Sequence, residues 1–109
     1  MAQTILHVMA KGRRSMRDAI INDKQLEKFN LTVSEQKRPT RSPGWSKLHS
    51  TQGYDGAVNI QWIDEANMLL CRIVTKGDGD PSGIAGDLLR YLLARRKSQI
   101  TSITIAVAE

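Results

Sequence analysis

Alternation of apolar and polar side chains marks most of the strands in this chain. Phe29, Leu31 and Val33 alternate with Asn30, Thr32 and Ser34, and Val58, Ile60 and Trp62 alternate with Ala57, Asn59 and Gln61. A period of two sends successive side chains to opposite faces, so each run predicts a strand with one buried side. Residues 3–9 read as a short opening strand on which Ile5, His7 and Met9 share a face, making His7 a hydrogen-bonded core residue. Met68 to Thr75 is apolar on both faces except at Arg72. That is the pattern of a strand covered on both sides and central in a sheet. Asp64 to Asn67, just before it, is a polar break short enough for a hairpin. Ile100, Ile103, Ile105 and Val107 are the apolar positions of a last strand, with the small residues Ser102, Thr104 and Ala106 on its other face. Residues 45–52 give a weaker strand signal; as a strand they place Trp45, Lys47 and His49 on one side.

Two segments carry helix signals instead. Ser15-Met16-Arg17-Asp18 has the form of a capping box, and Met16, Ala19 and Ile20 follow at helical spacing, which predicts a short helix from about 16 to 24. Asp80-Pro81 suits an N-cap followed by the first helical position, predicting a longer helix from about 81 to 97. Its apolar residues Ile84, Ala85, Leu88, Leu89, Leu92 and Leu93 cover an arc of roughly 180°, wider than the stripe of an ordinary surface helix. Arg95, Arg96 and Lys97 crowd its end, where the helix dipole favours positive charge. The predicted order is β-α-β-β-β-β-α-β, an α+β fold. The hairpin at 57–75 is antiparallel, and the step from 68–75 through the helix to 101–107 reads as a crossover joining parallel strands. The expectation is a mixed, mostly antiparallel sheet packed by the long C-terminal helix.

Length and composition bound this picture. The 109 residues suit a single domain spanning 1–109, and 40% hydrophobic with 25% charged residues is an ordinary globular balance. The stretch Lys37-Arg38-Pro39-Thr40-Arg41-Ser42-Pro43-Gly44 forbids regular structure and reads as a flexible basic loop at 37–44. A lone cysteine, Cys71, allows no internal disulfide, and with no secretion-type start and no long apolar run the expected setting is cytoplasmic, away from the membrane. The net charge of +5 is uneven: residues 1–49 hold ten bases against four acids, residues 50–109 six against seven. Such asymmetry attracts polyanions and is equally compatible with solubility alone.

Candidate chemistry is sparse. Trp45, Lys47 and His49 beside Lys37, Arg38 and Arg41 are the best nucleic-acid-binding set, because an aromatic among cations stacks a base while the cations hold phosphates. Gly83 and Gly86 sit off the leucine stripe, where a missing side chain admits another backbone, a ligand or a partner. Arg72 either pairs with an acid such as Asp64 or Glu65 or reaches into a cleft. The loop Gly77-Asp78-Gly79-Asp80-Pro81-Ser82-Gly83 lacks the registers of a nucleotide loop or an EF-hand and reads as a cap and turn. Two distant histidines and one buried cysteine predict no metal site, and no nucleophile–base pair or cofactor motif assembles. The expected function is a small non-catalytic binding or regulatory domain that contacts nucleic acid through its basic N-terminal half. One alternative is a self-associating, homo-oligomeric protein-interaction module, motivated by the broad helix arc and an exposed sheet edge. The other is a small basic ribonuclease using Lys47, His49, Tyr54 and Arg72.

Overall fold

A computed structural model of the chain describes residues 3–36 and 45–108. The strands are β1 (Gln3–Ala10), β2 (Leu31–Gln36), β3 (Trp45–Ser50), β4 (Ala57–Ile63), β5 (Met68–Val74) and β6 (Ile100–Ala108). The helices are α1 (Met16–Ile21) and α2 (Ser82–Arg95), with 3-10 turns at Lys24–Phe29, Asp64–Ala66 and Lys97–Gln99. All six strands form one sheet in the order β2-β3-β4-β5-β1-β6. Every hydrogen-bonded pair is antiparallel, so the sheet is not mixed. The crossover through α2 does join strands of like direction, but β1 lies between β5 and β6 and pairs with both. A parallel ladder is thereby avoided.

The helices lie on one face. α1 packs against β3 and β4, and α2 against β2 and the Lys24–Phe29 turn. Beneath them the buried side chains come from alternate strand positions: Leu6 and Val8, Leu48, Val58 and Ile60, Leu69, Cys71 and Ile73. Fully burying each large aliphatic side chain contributes roughly 1.5–3 kcal/mol. α2 adds Ile84, Leu88, Tyr91 and Leu92 at the spacing of one helix face. Its apolar arc is therefore narrower than expected: Tyr91 enters the core, whereas Leu93 is 49% exposed. The helix also stops at Arg95, short of 97, where the chain tightens into a 3-10 turn.

Local signals explain the element starts. The Ser15 hydroxyl accepts the Asp18 N–H at 3.2 Å, but the Asp18 carboxylate turns to Arg17 instead of closing the capping box. The Asp80 carboxylate accepts the Ser82 N–H at 2.9 Å at the head of α2. The helix expected to reach residue 24 ends at Ile21, and Lys24–Phe29 forms a 3-10 turn closed by Asn30 at φ 65°. Phe29 is thus not in a strand. It packs edge-on against Tyr91, with ring centroids 5.6 Å apart.

Asp23 organises this corner. Its carboxylate, 3% exposed, accepts hydrogen bonds from the Tyr91 hydroxyl at 2.8 Å, Arg95 Nε at 3.1 Å, Arg96 Nη2 at 3.0 Å and the Gln25 N–H at 2.8 Å. Burial works to raise this carboxyl, but the hydrogen bonds and the Arg95 charge outweigh it and hold the group far below the usual carboxylate range. The cationic end of α2 is therefore tied to the α1 side of the molecule, beyond any service to the helix dipole.

Candidate functional site

The side of the sheet opposite the helices carries no covering layer among the described residues. Strand register shows what lies there, since directly opposed residues share a face. One row runs Trp45, Gln61, Leu70, His7 across β3, β4, β5 and β1. The next runs Lys47, Asn59, Arg72, Ile5, and a third runs His49, Ala57, Val74, Gln3. Successive rows are about 7 Å apart along the strands, and neighbours within a row about 5 Å. Where the helix-side set is buried, these residues are half-buried or, like Arg72 and His49, exposed.

This arrangement corrects two expectations. His7 is not a core residue, because Leu6 and Val8 take the covered side of β1 and leave Ile5, His7 and Met9 on the open one. β5 is central in the sheet, but only Leu69, Cys71 and Ile73 are covered, so its apolar character on both faces does not mean two covering layers. Burial pushes the Cys71 thiol up to about 12, which suits an inert core group.

Two shallow cavities indent the open face. One, of about 450 Å³, is lined by Lys47, His49, Asp55, Ala57, Asn59 and Lys76, among others. The second, of about 320 Å³, is lined by Trp45, Asn59, Gln61, Leu70 and Arg72. Asn59 is the wall they share, and its Oδ1 is shut off from solvent with no hydrogen-bond partner. An acceptor left in that state costs roughly 1–3 kcal/mol. The one acid on this rim, Asp55, is partly engaged: its carboxylate accepts the Asp80 N–H at 3.2 Å. Trp45, Lys47 and His49 each interact with other parts of the protein as well.

Of the sequence candidates, Trp45, Lys47, His49 and Arg72 meet on this face, and among the described residues no ion pair joins Arg72 to Asp64 or Glu65. Lys37, Arg38 and Arg41 lie outside the described residues, as does the loop expected at 37–44. Gly83 and Gly86 are elsewhere, in α2. A Cβ on Gly83 would fall 2.7 Å from Cγ of the Tyr54 ring, so the close approach there is made by the protein's own aromatic; Gly86 faces open space. Tyr54 therefore lies against α2 and lines neither cavity, which separates it from Lys47, His49 and Arg72. Among the described residues no cluster of three His, Cys, Asp or Glu side chains is placed to hold a metal ion. Among the described residues no helix is long and apolar enough to cross a membrane.

Asn59, Gln61 and Lys76 belong to the site without having been singled out by sequence. Asn59 and Gln61 were legible as the polar side of an alternating strand, but which strands flank them is not written locally. Most of the described N-terminal cations lie elsewhere. Lys11, Arg13 and Arg14 sit beyond the end of β1, at the opposite end of the sheet from Lys76, and Lys24 and Lys28 lie on the 3-10 turn of the helix layer. The described cations of the open face come from both halves of the chain. Comparison with protein-family models, with curated proteins and with solved structures found no match.

Proposed function

We propose that the open face of the sheet is a platform for single-stranded nucleic acid, and that the chain is a small non-catalytic binding or regulatory domain. The observation that carries this reading is the meeting of Trp45, Gln61, Lys47, Asn59 and Arg72 in two adjacent cross-strand rows on an uncovered antiparallel face. An exposed sheet can present flat aromatic and amide groups to unstacked bases while cations at its margin hold the phosphates. Here Trp45 offers the stacking surface, Asn59 and Gln61 the hydrogen-bonding groups for base edges, and Lys47, Arg72 and Lys76 the charge. Lys37, Arg38 and Arg41 precede Trp45 by four to eight positions in the sequence and would add positive charge to the same segment. The ribonuclease alternative is weaker because Tyr54 is held at α2.

Fluorescence anisotropy with labelled single-stranded RNA and DNA tests the proposal. Binding should weaken steeply as salt rises, because released counterions drive the electrostatic part. Trp45→Ala should lower affinity about 5- to 150-fold, the roughly 1–3 kcal/mol of one base stack. Lys47→Gln and Arg72→Gln should each flatten the salt slope by about one. No binding at low salt, or equal affinity in wild type and Trp45→Ala, rejects the platform.

A further inference from the structure

β6 forms one edge of the sheet, pairing with β1 on one side only. It is nine residues long, Ile-Thr-Ser-Ile-Thr-Ile-Ala-Val-Ala, without a charge, a proline or a glycine. Its helix-side residues overhang the helix layer, which packs chiefly on β2, β3 and β4. Ile105 stands opposite Leu6 and Val107 opposite Thr4, so both point to the covered side, yet they are 53% and 70% exposed. The other edge is unlike it. β2 is six residues long, is interrupted by a register shift between Val33 and Glu35, and runs on in sequence to Lys37, Arg38 and Pro39. Short length, charge and proline are usual guards of an exposed edge, and β6 has none of them; its one irregularity is a register shift at its start, where Met9 pairs with Ser102 and Ala10 with Ile100.

We propose that β6 is a self-association strand: two copies of this chain join antiparallel along it into one continuous twelve-stranded sheet. A second copy is the occupant because the strand is complementary to itself. Pairing the regular stretch Ser102–Ala106 antiparallel places a two-fold axis at Thr104. Ile103 then opposes Ile105 of the second copy, and Ser102 opposes Ala106. The opposed positions sum to an even number, so every side chain keeps its own face and the two apolar rows meet on the helix side. A two-fold contact of this kind uses the same surface twice and closes on itself, giving a dimer and not a fibre. The exposed Ile105 of each copy is covered by Ile103 of the other, and the outward N–H and C=O groups of β6 gain partners. An edge free of charge lets two basic molecules approach without repulsion at the contact. This contact does not depend on the nucleic-acid reading of the open face.

Sedimentation velocity of the chain without nucleic acid, over rising concentration, tests it. A reversible monomer–dimer equilibrium is expected, with the dimer lost in Ile105→Lys, where a cation interrupts the apolar row. Val107→Lys, at the more exposed position, serves as the second variant, and a thermal melt confirms that each remains folded. On wild type, amide exchange in β6 should slow as concentration rises while exchange in β2 stays constant. A wild-type monomer at every concentration overturns the proposal. So does a dimer that persists unchanged in both variants, since association would then use another surface such as the open face.

Discussion

Asp23 shows how one residue holds two distant parts of the chain. Its carboxylate gathers Tyr91, Arg95 and Arg96 from the end of α2, while burial and the Asp23 hydrogen bond contribute to pushing the Tyr91 hydroxyl up to about 12. Removing the acid leaves the part-buried Arg96, whose side chain is 16% exposed, without its counter-ion, although its hydrogen bonds to the Tyr91 hydroxyl and the Ala19 carbonyl remain. Asp23→Ala should therefore cost about 2–4 kcal/mol at pH 7 in urea unfolding, the range for breaking charge-assisted and part-buried pairs. The pH dependence has a definite sign. The carboxyl is held below its ordinary value only when folded, so the unfolded chain takes up the proton first as pH falls. The stabilisation is complete above about pH 4, the unfolded carboxylate value, and fades as pH drops below it. The gap between wild type and variant should accordingly shrink between pH 4 and pH 2; a constant gap would remove the pairing as its cause.

At the scale of the element, α2 carries two glycines with opposite roles. Gly86 faces open space in a helix interior, where alanine is favoured by up to ~1 kcal/mol. Gly83 lies under the Tyr54 ring, and an added methyl would meet the ring at its base, 2.7 Å away, not at a movable tip. Gly86→Ala should thus raise the melting temperature and Gly83→Ala should not. Adding Tyr54→Ala should make Gly83→Ala stabilising, as the helix preference then acts unopposed. Equal effects of the two glycine substitutions would remove the steric explanation. Both glycines were visible in the sequence as oddities, but only Tyr54, 29 positions upstream, separates them. The strands tell a similar story. The alternation in Val58–Trp62 was decisive because three apolar side chains repeat at period two. Phe29 misled, because its spacing from Leu31 and Val33 continues the strand pattern across Asn30, where the backbone turns left-handed.

Over the whole molecule, cooperativity should be readable at Cys71. It sits fully buried on the central strand β5, and its thiol stays protonated at neutral pH because burial raises it to about 12. Reaction with a thiol reagent at pH 8 then requires opening of the sheet core, and its rate should track global unfolding measured in urea. Rapid labelling under native conditions would mean that β5 opens locally and that the layer of helices is looser than its packing indicates. The open face and the β6 edge are likewise properties of the assembled sheet. Each depends on covering one side of six strands with two short helices and a turn, which leaves the outer strand and the opposite face to solvent.

Local pattern alone determined the α+β class, the cap at Ser15, the turn at Asp80 that leads into α2, the apolar positions of β4 and β6, and the common side of Trp45, Lys47 and His49. These follow from backbone periodicity and from hydrogen bonds spanning a few residues, which neighbouring side chains decide. Tertiary structure alone decided that β1 slots between β5 and β6, that the covered side of β1 is Leu6 and Val8 and not Ile5 and Met9, and that Arg72 and Asn59 stand beside Lys47. Both sides of β1 are apolar enough to be buried. Which side turns inward is settled by where the helices can pack, and that energy belongs to contacts between residues far apart in the chain.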